Sequence, residues 1–507
     1  MNVNKTITRR TFQRLQKDLI IAAVTFLAAS PAIPAQDALS ANQAVQQQIL
    51  QLTEAMNRVE AQMQQSQQEL AEIRRQLIAI RQSSGEPRVA ATPVPNQTEQ
   101  LAEAVAEIRE TQAMHESQIA TLAQSKVESG SKYPVKLSGM ILMTAFANTA
   151  GVDAPATPTS AVTGSGSTGA TFQQTILGLD ISGPRVFGAR SHGDLRFDLN
   201  GGARSSAAGT GYSLALLRFR TAHANLDWQH TQASFVYDRP ILNPEQPSSL
   251  TAVAEPALAW SGNLWAWNTQ VGISQDMVSR RPGAFRVQAA LTDVSDPPLL
   301  FAQNSTFTPP TSGELSRWPG VESRVAFESA SVESGLQFGV SGLFAPHRAL
   351  NSGRTFDSWA GAADFRFPVT RFMLLSGNAY RGAALGSLGA GAYKNSVQRT
   401  VGGELYFQPL DDIGGWVQWK QRAGERLQFN EAIGIDEVPA NQLRPYALAT
   451  PVTYYNLARN RTVTANAIYS PSAYLQFSFE YRRIASSYVT APTLSSDVIG
   501  LAAGYRF

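Results

Sequence analysis

The 507-residue sequence contains no cysteine. Disulfides, thiol chemistry and Cys-ligated metals are therefore excluded, and the fold must be held by burial or by ring closure. Charge of one sign is lacking too: 42 Lys and Arg stand against 39 Asp and Glu, a net +3, so there is no basic excess to recruit nucleic acid. Five histidines and no Gly-x-Ser-x-Gly motif leave little from which to build a nucleophile, base and orienting acid, so an enzyme is not expected; nor is a cofactor or metal. The apolar run Leu19 to Ala29 is too short to span a bilayer. With a mean hydropathy of −0.16 the chain does not look like a helical membrane protein. A β-barrel remains open, because only alternate residues of its strands face lipid.

What is present falls into two periodicities. Residues 1–35 have the order of a signal peptide: Arg9, Arg10, Arg14 and Lys17, then the apolar run, then small residues before a cleavage site after Ala35, with Ala32 as the alternative. Thr8-Arg9-Arg10-Thr11-Phe12 also resembles a twin-arginine signal, but the pair reads as ordinary n-region charge. From 36 to 82 the spacing is four and three: Val45, Ile49, Leu52, Met56, Val59, Met63, Ser66, Leu70, Ile73, Leu77 and Ile80, heptads that predict a coiled coil. A Pro/Ser linker at 83–97 separates it from a second helix at 98–132, whose seam is Leu101, Val105, Ile108, Gln112, His115, Ile119 and Leu122. Gln112 and His115 read as seam residues that fix register, not as ligands. No other stretch carries heptads to cover this seam, so it must find copies of itself. The heptads leave dimer and trimer open.

From 133 to 507 the period is two. In Leu475-Gln476-Phe477-Ser478-Phe479-Glu480-Tyr481-Arg482 every odd residue suits lipid and every even one water. Sixteen strand candidates lie near 135–148, 170–182, 188–200, 212–228, 230–240, 261–275, 284–294, 319–330, 334–345, 355–367, 370–383, 397–408, 413–425, 458–470, 473–485 and 496–507. Short and long links alternate between them. Leu427 to Val438 could pass as another strand, but it would make the count odd and is assigned to a long folded loop. Trp228, Phe367, Phe407, Tyr469 and Tyr474 sit beside the expected short turns, where an interfacial girdle belongs. The reading is an all-β transmembrane barrel of about 16 antiparallel strands, preceded by an α-helical coiled coil. A ring of that size encloses an aqueous lumen.

The segment 241–260 is unlike a solvated surface loop. It has prolines at 240, 244, 247 and 256, the apolar residues Leu250, Val253 and Leu258, and only Glu245 and Glu255 as charges. Such a composition suits packing inside the barrel. Inward positions by alternation include Arg196, Arg366, Lys420, Arg482 and Arg506. Register around Arg220 is ambiguous, since a bulge could turn it to either face.

Several stretches resemble outer-membrane proteins. The final alternation, ending Tyr505-Arg506-Phe507, resembles the closing strand of Gram-negative outer-membrane barrels, which implies an assembly role for Tyr505 and Phe507. Arg220-Thr221-Ala222-His223-Ala224-Asn225-Leu226 with Ser234-Phe235-Val236-Tyr237-Asp238-Arg239 resembles the strand pair before constriction loop three of trimeric general porins, and a coiled coil ahead of the barrel is similar to the DcaP-like porins. The resemblance implies Arg220 and Arg239 as basic constriction residues opposed by Glu245 and Glu255. It also implies a homotrimer in the outer membrane lipid bilayer, and passive diffusion of small hydrophilic solutes and ions. The alternative is a structural anchor, whose periplasmic coiled coil tethers the membrane to peptidoglycan or another periplasmic partner.

Overall fold

A computed structural model describes residues 134–201, 216–278, 283–297, 310–329, 335–350 and 352–507. The signal peptide, both coiled-coil helices and the linker predicted above lie outside the described residues.

Alternating apolar and polar side chains form long antiparallel strands, because one face can then meet lipid while the other meets water. They are β1 (Val135–Val152), β2 (Ala161–Thr171), β3 (Ile176–Val186), β4 (Ala189–Asp198), β5 (Arg218–Asp227), β6 (Thr231–Asp238), β7 (Asn268–Val278), β8 (Ala284–Asp293), β9 (Gly320–Glu328) and β10 (Gln337–Arg348). The series continues with β11 (Thr355–Thr370), β12 (Met373–Ala383), β13 (Ser396–Val401), β14 (Glu404–Pro409), β15 (Asp411–Ala423), β16 (Leu427–Glu437), β17 (Leu457–Tyr469), β18 (Leu475–Tyr488) and β19 (Leu494–Arg506). All but β13 and β14 belong to one sheet, which closes where β1 pairs with β19. The far half of β1 pairs with β2 and its near half with β3, so these two form a single stave broken at 172–175. The ring therefore has 16 staves. At its seam Gly139 and Phe507 exchange both backbone hydrogen bonds, each 3.1 Å.

Tight turns such as 187–188, 371–372 and 424–426 cluster at the end of the barrel that carries this seam, whereas 239–267, 384–410 and 438–456 leave the opposite end. Two assignments from the sequence are corrected. Leu427–Glu437 is a full stave, β16, paired on both sides. The candidate at 397–408 is the hairpin β13–β14, outside the ring. Gly402 and Gly403 both take positive φ, 61° and 87°, which gives the two-residue turn that matches strand twist. One stave is gained where another is lost, so the count survives. Phe407, on that hairpin, packs against Phe356 at a 5.5 Å centroid distance and is not part of a short-turn girdle.

The two faces separate as the alternation requires. Leu475, Phe477, Phe479 and Tyr481 are exposed on the outer wall, while Ser478, Glu480 and Arg482 are buried inside. The closing strand follows suit, with Ile499, Leu501 and Tyr505 outward and Gly500, Ala502 and Gly504 inward. The apolar clusters of the molecule lie where connecting segments pack against the inner wall, not between two sheets.

Candidate functional site

The lumen is occupied in part by the 239–267 connection. Pro240 and Pro256 open turns in it, closed by Asn243 N to the Pro240 carbonyl (3.1 Å) and Ala259 N to the Pro256 carbonyl (3.0 Å), and Leu242, Leu250, Leu258, Trp260 and Leu264 are buried. The buried backbone of such a segment must find hydrogen-bond partners, and the inner wall supplies them. Asn378 Nδ2 donates to the Leu242 carbonyl (2.8 Å), Ser248 N to Gln418 Oε1 (2.5 Å), Asn466 Nδ2 to the Ser248 carbonyl (2.8 Å) and Asn460 Nδ2 to the Trp260 carbonyl (3.0 Å). Gln174, at the break between β2 and β3, donates to the Thr251 carbonyl (2.8 Å) and accepts from Val253 N (2.7 Å). The segment thus leaves β6, reaches β12 and β15–β18 on the opposite wall at 242–249, crosses to β1–β3 and β5 at 251–254, and returns to β15–β17 at 260–262.

Arg220 is the extra residue of a bulge: Arg196 faces Thr221 while Phe197 faces Phe219. The bulge sends both Arg218 and Arg220 inward and leaves Phe219 outside. Each guanidinium bonds the fully buried Asp198 (2.7 and 3.0 Å) and lies 5.0 Å from the Trp267 ring. Arg220 Nη1 donates to the Val253 carbonyl and Arg218 Nη2 to the Ala254 carbonyl, both at 2.7 Å. Arg220 therefore shares one wall carboxylate with Arg218 and grips the loop backbone, and the loop acid Glu255 lies within the electrostatic reach of both arginines.

Arg239 also binds the loop backbone, through the Pro244 carbonyl (2.8 Å). Glu245 pairs with Arg366 at 3.1 Å, which joins one expected loop acid to one expected lumen cation. Among the described residues Glu255 has no ion-pair partner within 4.0 Å. Burial pushes its carboxyl up to about 7, with Arg218 and Arg220 opposing and Asp153 and Asp198 adding to the shift. Because the shift is upward, Glu255 is neutral below that pH and anionic above it.

The remaining predicted cations divide. Arg482 is buried and bonded to Glu480 and the Pro158 carbonyl, so it holds a connection in place. Arg196 is half-exposed and bonds Asp180, with Asp194 at 3.7 Å. Lys420 and Arg506 share a chamber of about 480 Å³ beneath the loop with Arg422, Arg426 and Glu425. Facing them across the barrel, β3–β9 present a mixed wall: His223 lies 3.1 Å from both Asp194 and Asp238, and Arg286 bridges Asp276 (2.7 Å) and Glu328 (3.0 Å).

Sequence reasoning missed a second in-folded connection, 384–395. Leu385, Leu388, Ala390, Ala392 and Tyr393 are buried there, and Tyr393 stacks between Trp260 (4.3 Å) and Tyr454 (4.2 Å). Lys394 donates to three carbonyls, Ala392 (2.8 Å), Tyr454 (3.0 Å) and Leu457 (2.7 Å); burial lowers its pKa to about 7, against the pull of Asp436 and Asp412. The signal was present: from Ala383 to Tyr393 there is no charge, a scarcity shared with 241–260, although the prolines of that segment are absent here.

No protein-family model matches the sequence, and no curated protein matches it significantly. Solved structures do match. The outer membrane channel DcaP of Acinetobacter baumannii is 15% identical with a TM-score of 0.55, over 75% of this chain and 99% of that one. Salmonella typhi OmpF is 11% identical with a TM-score of 0.44, over 74% and 98%. The anion-selective porin of Comamonas acidovorans is 9% identical with a TM-score of 0.43, over 74% and 100%. At such identity the first match establishes the fold alone: the barrel is built like that of an outer-membrane channel.

Proposed function

We propose that the chain forms a water-filled channel across the outer membrane for passive diffusion of small hydrophilic solutes and ions, narrowed by the 239–267 connection. One observation carries this reading. Inside a closed ring, the charged groups of β3–β8 remain partly wetted, with side-chain exposures of 38% for Asp180, 30% for Arg196, 25% for His223 and 38% for Arg286. Water that reaches these groups also offers a route past the loop, and fixed charges of both signs along it filter by charge and size. Arg220, Arg239, Glu245 and Glu255 set the width and field of that passage, the two arginines by fixing the loop.

In this reading the long connections face outward and the short turns face the periplasm. The signal peptide directs export, the coiled coil stands in the periplasm, and Tyr505 and Phe507 serve assembly. The outer wall of β1, β4 and β5 carries Ala145, Ala147, Gly193, Ala222 and Ala224, small residues that allow copies to approach closely and so support a homotrimer. Peptidoglycan or another periplasmic partner for the coil belongs to the alternative, a tether. Swelling of liposomes in isotonic sugars separates the two: permeation that falls with solute size supports the channel, and none at any size leaves the tether.

Glu255 supplies a pH test. As it ionises around pH 7, a unit charge beside the path at about 8 Å changes the free energy of a passing ion by about 0.5 kcal/mol even in bulk water, roughly a two-fold change. The new charge hinders anions and favours cations by that factor each, so the ratio of anion to cation permeability, read from reversal potentials, should fall by about four-fold between pH 6 and pH 8. The Glu255→Gln channel should show no such step. A step of equal size in that variant would remove Glu255 from the passage.

A further inference from the structure

Near the rim that carries the long connections, the outer wall bears charge where apolar residues would be expected. On β17 Arg459 and Arg461 both point outward, and on β18 so does Arg483. Arg461 faces Ile435 on one side and Ala485 on the other, and Arg483 faces Val463 and Asp497. Three guanidinium groups therefore share one patch across adjacent staves. Arg459 donates to Glu437 (2.9 and 2.7 Å) and Arg483 to Asp497 (3.1 and 3.3 Å). Arg461 is exposed and has no partner among the described residues. Two carboxylates thus neutralise two of three arginines, and one positive charge is left over on a membrane-facing wall. Below the patch the same face is apolar except for Glu431 on β16: Ile433, Ile435, Val463, Phe479, Ile499 and Leu501 are all exposed.

We propose that this face binds a phosphorylated, multiply acylated glycolipid of the outer leaflet, with its phosphate on Arg461 and the flanking Arg459 and Arg483, and its acyl chains on the apolar wall beneath. The inference rests on the outer-membrane reading above. Its physical content is complementarity at two levels. Guanidinium groups bind phosphate through paired N–H donors, and an unpaired arginine at the polar–apolar boundary is stabilised by an anionic headgroup held at that depth. Exposed aliphatic and aromatic side chains below supply the surface that acyl chains cover. Arg461 points away from the lumen, so its replacement leaves the passage untouched.

The test uses the full-length protein in detergent micelles, probed by native mass spectrometry with a phosphorylated outer-leaflet glycolipid and with the same lipid after phosphatase treatment. The wild type should retain the phosphorylated form through collisional delipidation about ten-fold better than the dephosphorylated one. Arg461→Glu, and Arg461→Ala combined with Arg483→Ala, should abolish that preference while unitary conductance stays at the wild-type value. Equal retention of both lipids by the wild type, or an unchanged preference in Arg461→Glu, overturns the proposal. So does ready disulfide trapping between copies of Arg461→Cys, a clean probe in a chain without cysteine, because a second copy would then cover the face. Loss of lipid preference by a conducting wild type removes this inference alone, whereas a wild type that does not conduct removes the channel reading.

Discussion

Gly434→Val is expected to raise the unitary conductance about two-fold or more, because it evicts the connection that narrows the lumen. Gly434 lies on β16 with its Cα against the loop; a Cβ there would sit 2.0 Å from the Ser261 carbonyl oxygen, far inside any tolerable contact. On the other side of the same joint, a Cβ on Gly262 would sit 2.0 Å from the Gly415 carbonyl, so the two backbones touch without intervening side chains. Neither can retreat: Gly262 is held between its neighbours, with Ser261 Oγ bonded to Thr462 (2.9 Å) and to Asn460 (3.0 Å). The strand itself should accept the change. Valine favours strands, and Ile433 and Ile435 already flank the position. The barrel should therefore assemble while the loop does not dock. Single-channel recording gives the conductance, and protease cleavage within 241–260 gives the loop position. A folded Gly434→Val barrel with unchanged conductance and a protected loop would refute the arrangement.

The second large effect is on stability. Asp198→Ala should cost about 3–5 kcal/mol, the range for breaking a buried ion pair by removing one partner. Asp198 is fully buried and accepts from Arg218 Nε (3.0 Å) and Nη2 (2.7 Å) and from Arg220 Nη1 (3.0 Å). Its loss leaves two half-buried cations side by side over Trp267, and both also carry the loop through Val253 and Ala254. Removing the exposed partner Asp497 from Arg483 should change stability far less, as for other solvated pairs. Urea titration of the refolded barrel by tryptophan fluorescence compares the two variants. Equal small losses in both would show that Asp198 is not the keystone of the loop joint.

The sequence made the barrel legible because register in a two-faced strand is enforced at every residue: a slip by one would turn the whole set of Leu475, Phe477, Phe479 and Tyr481 into the lumen. Strand identity was less secure where local turn chemistry competed with alternation. The Gly402-Gly403 pair folds an apparently continuous strand into a hairpin, while Gly424 (φ 80°) permits the tight turn that makes 427–437 a stave. The in-folded connection at 239–267 was visible as a loop too apolar and too proline-rich for solvent. Its anchors were not, since Gln174, Asn378, Asn460 and Asn466 act across separations that no local pattern encodes. The bulge at Arg220 was foreseen only as an alternative, and alternation cannot say that Asp198 would claim both arginines.

Planar-bilayer recording of the purified, refolded full-length protein tests the central claim most directly. Discrete, ohmic conductance steps that persist at low voltage are the predicted result. A barrel that inserts, resists heat in detergent and yet carries no current at any voltage or salt concentration would contradict the account.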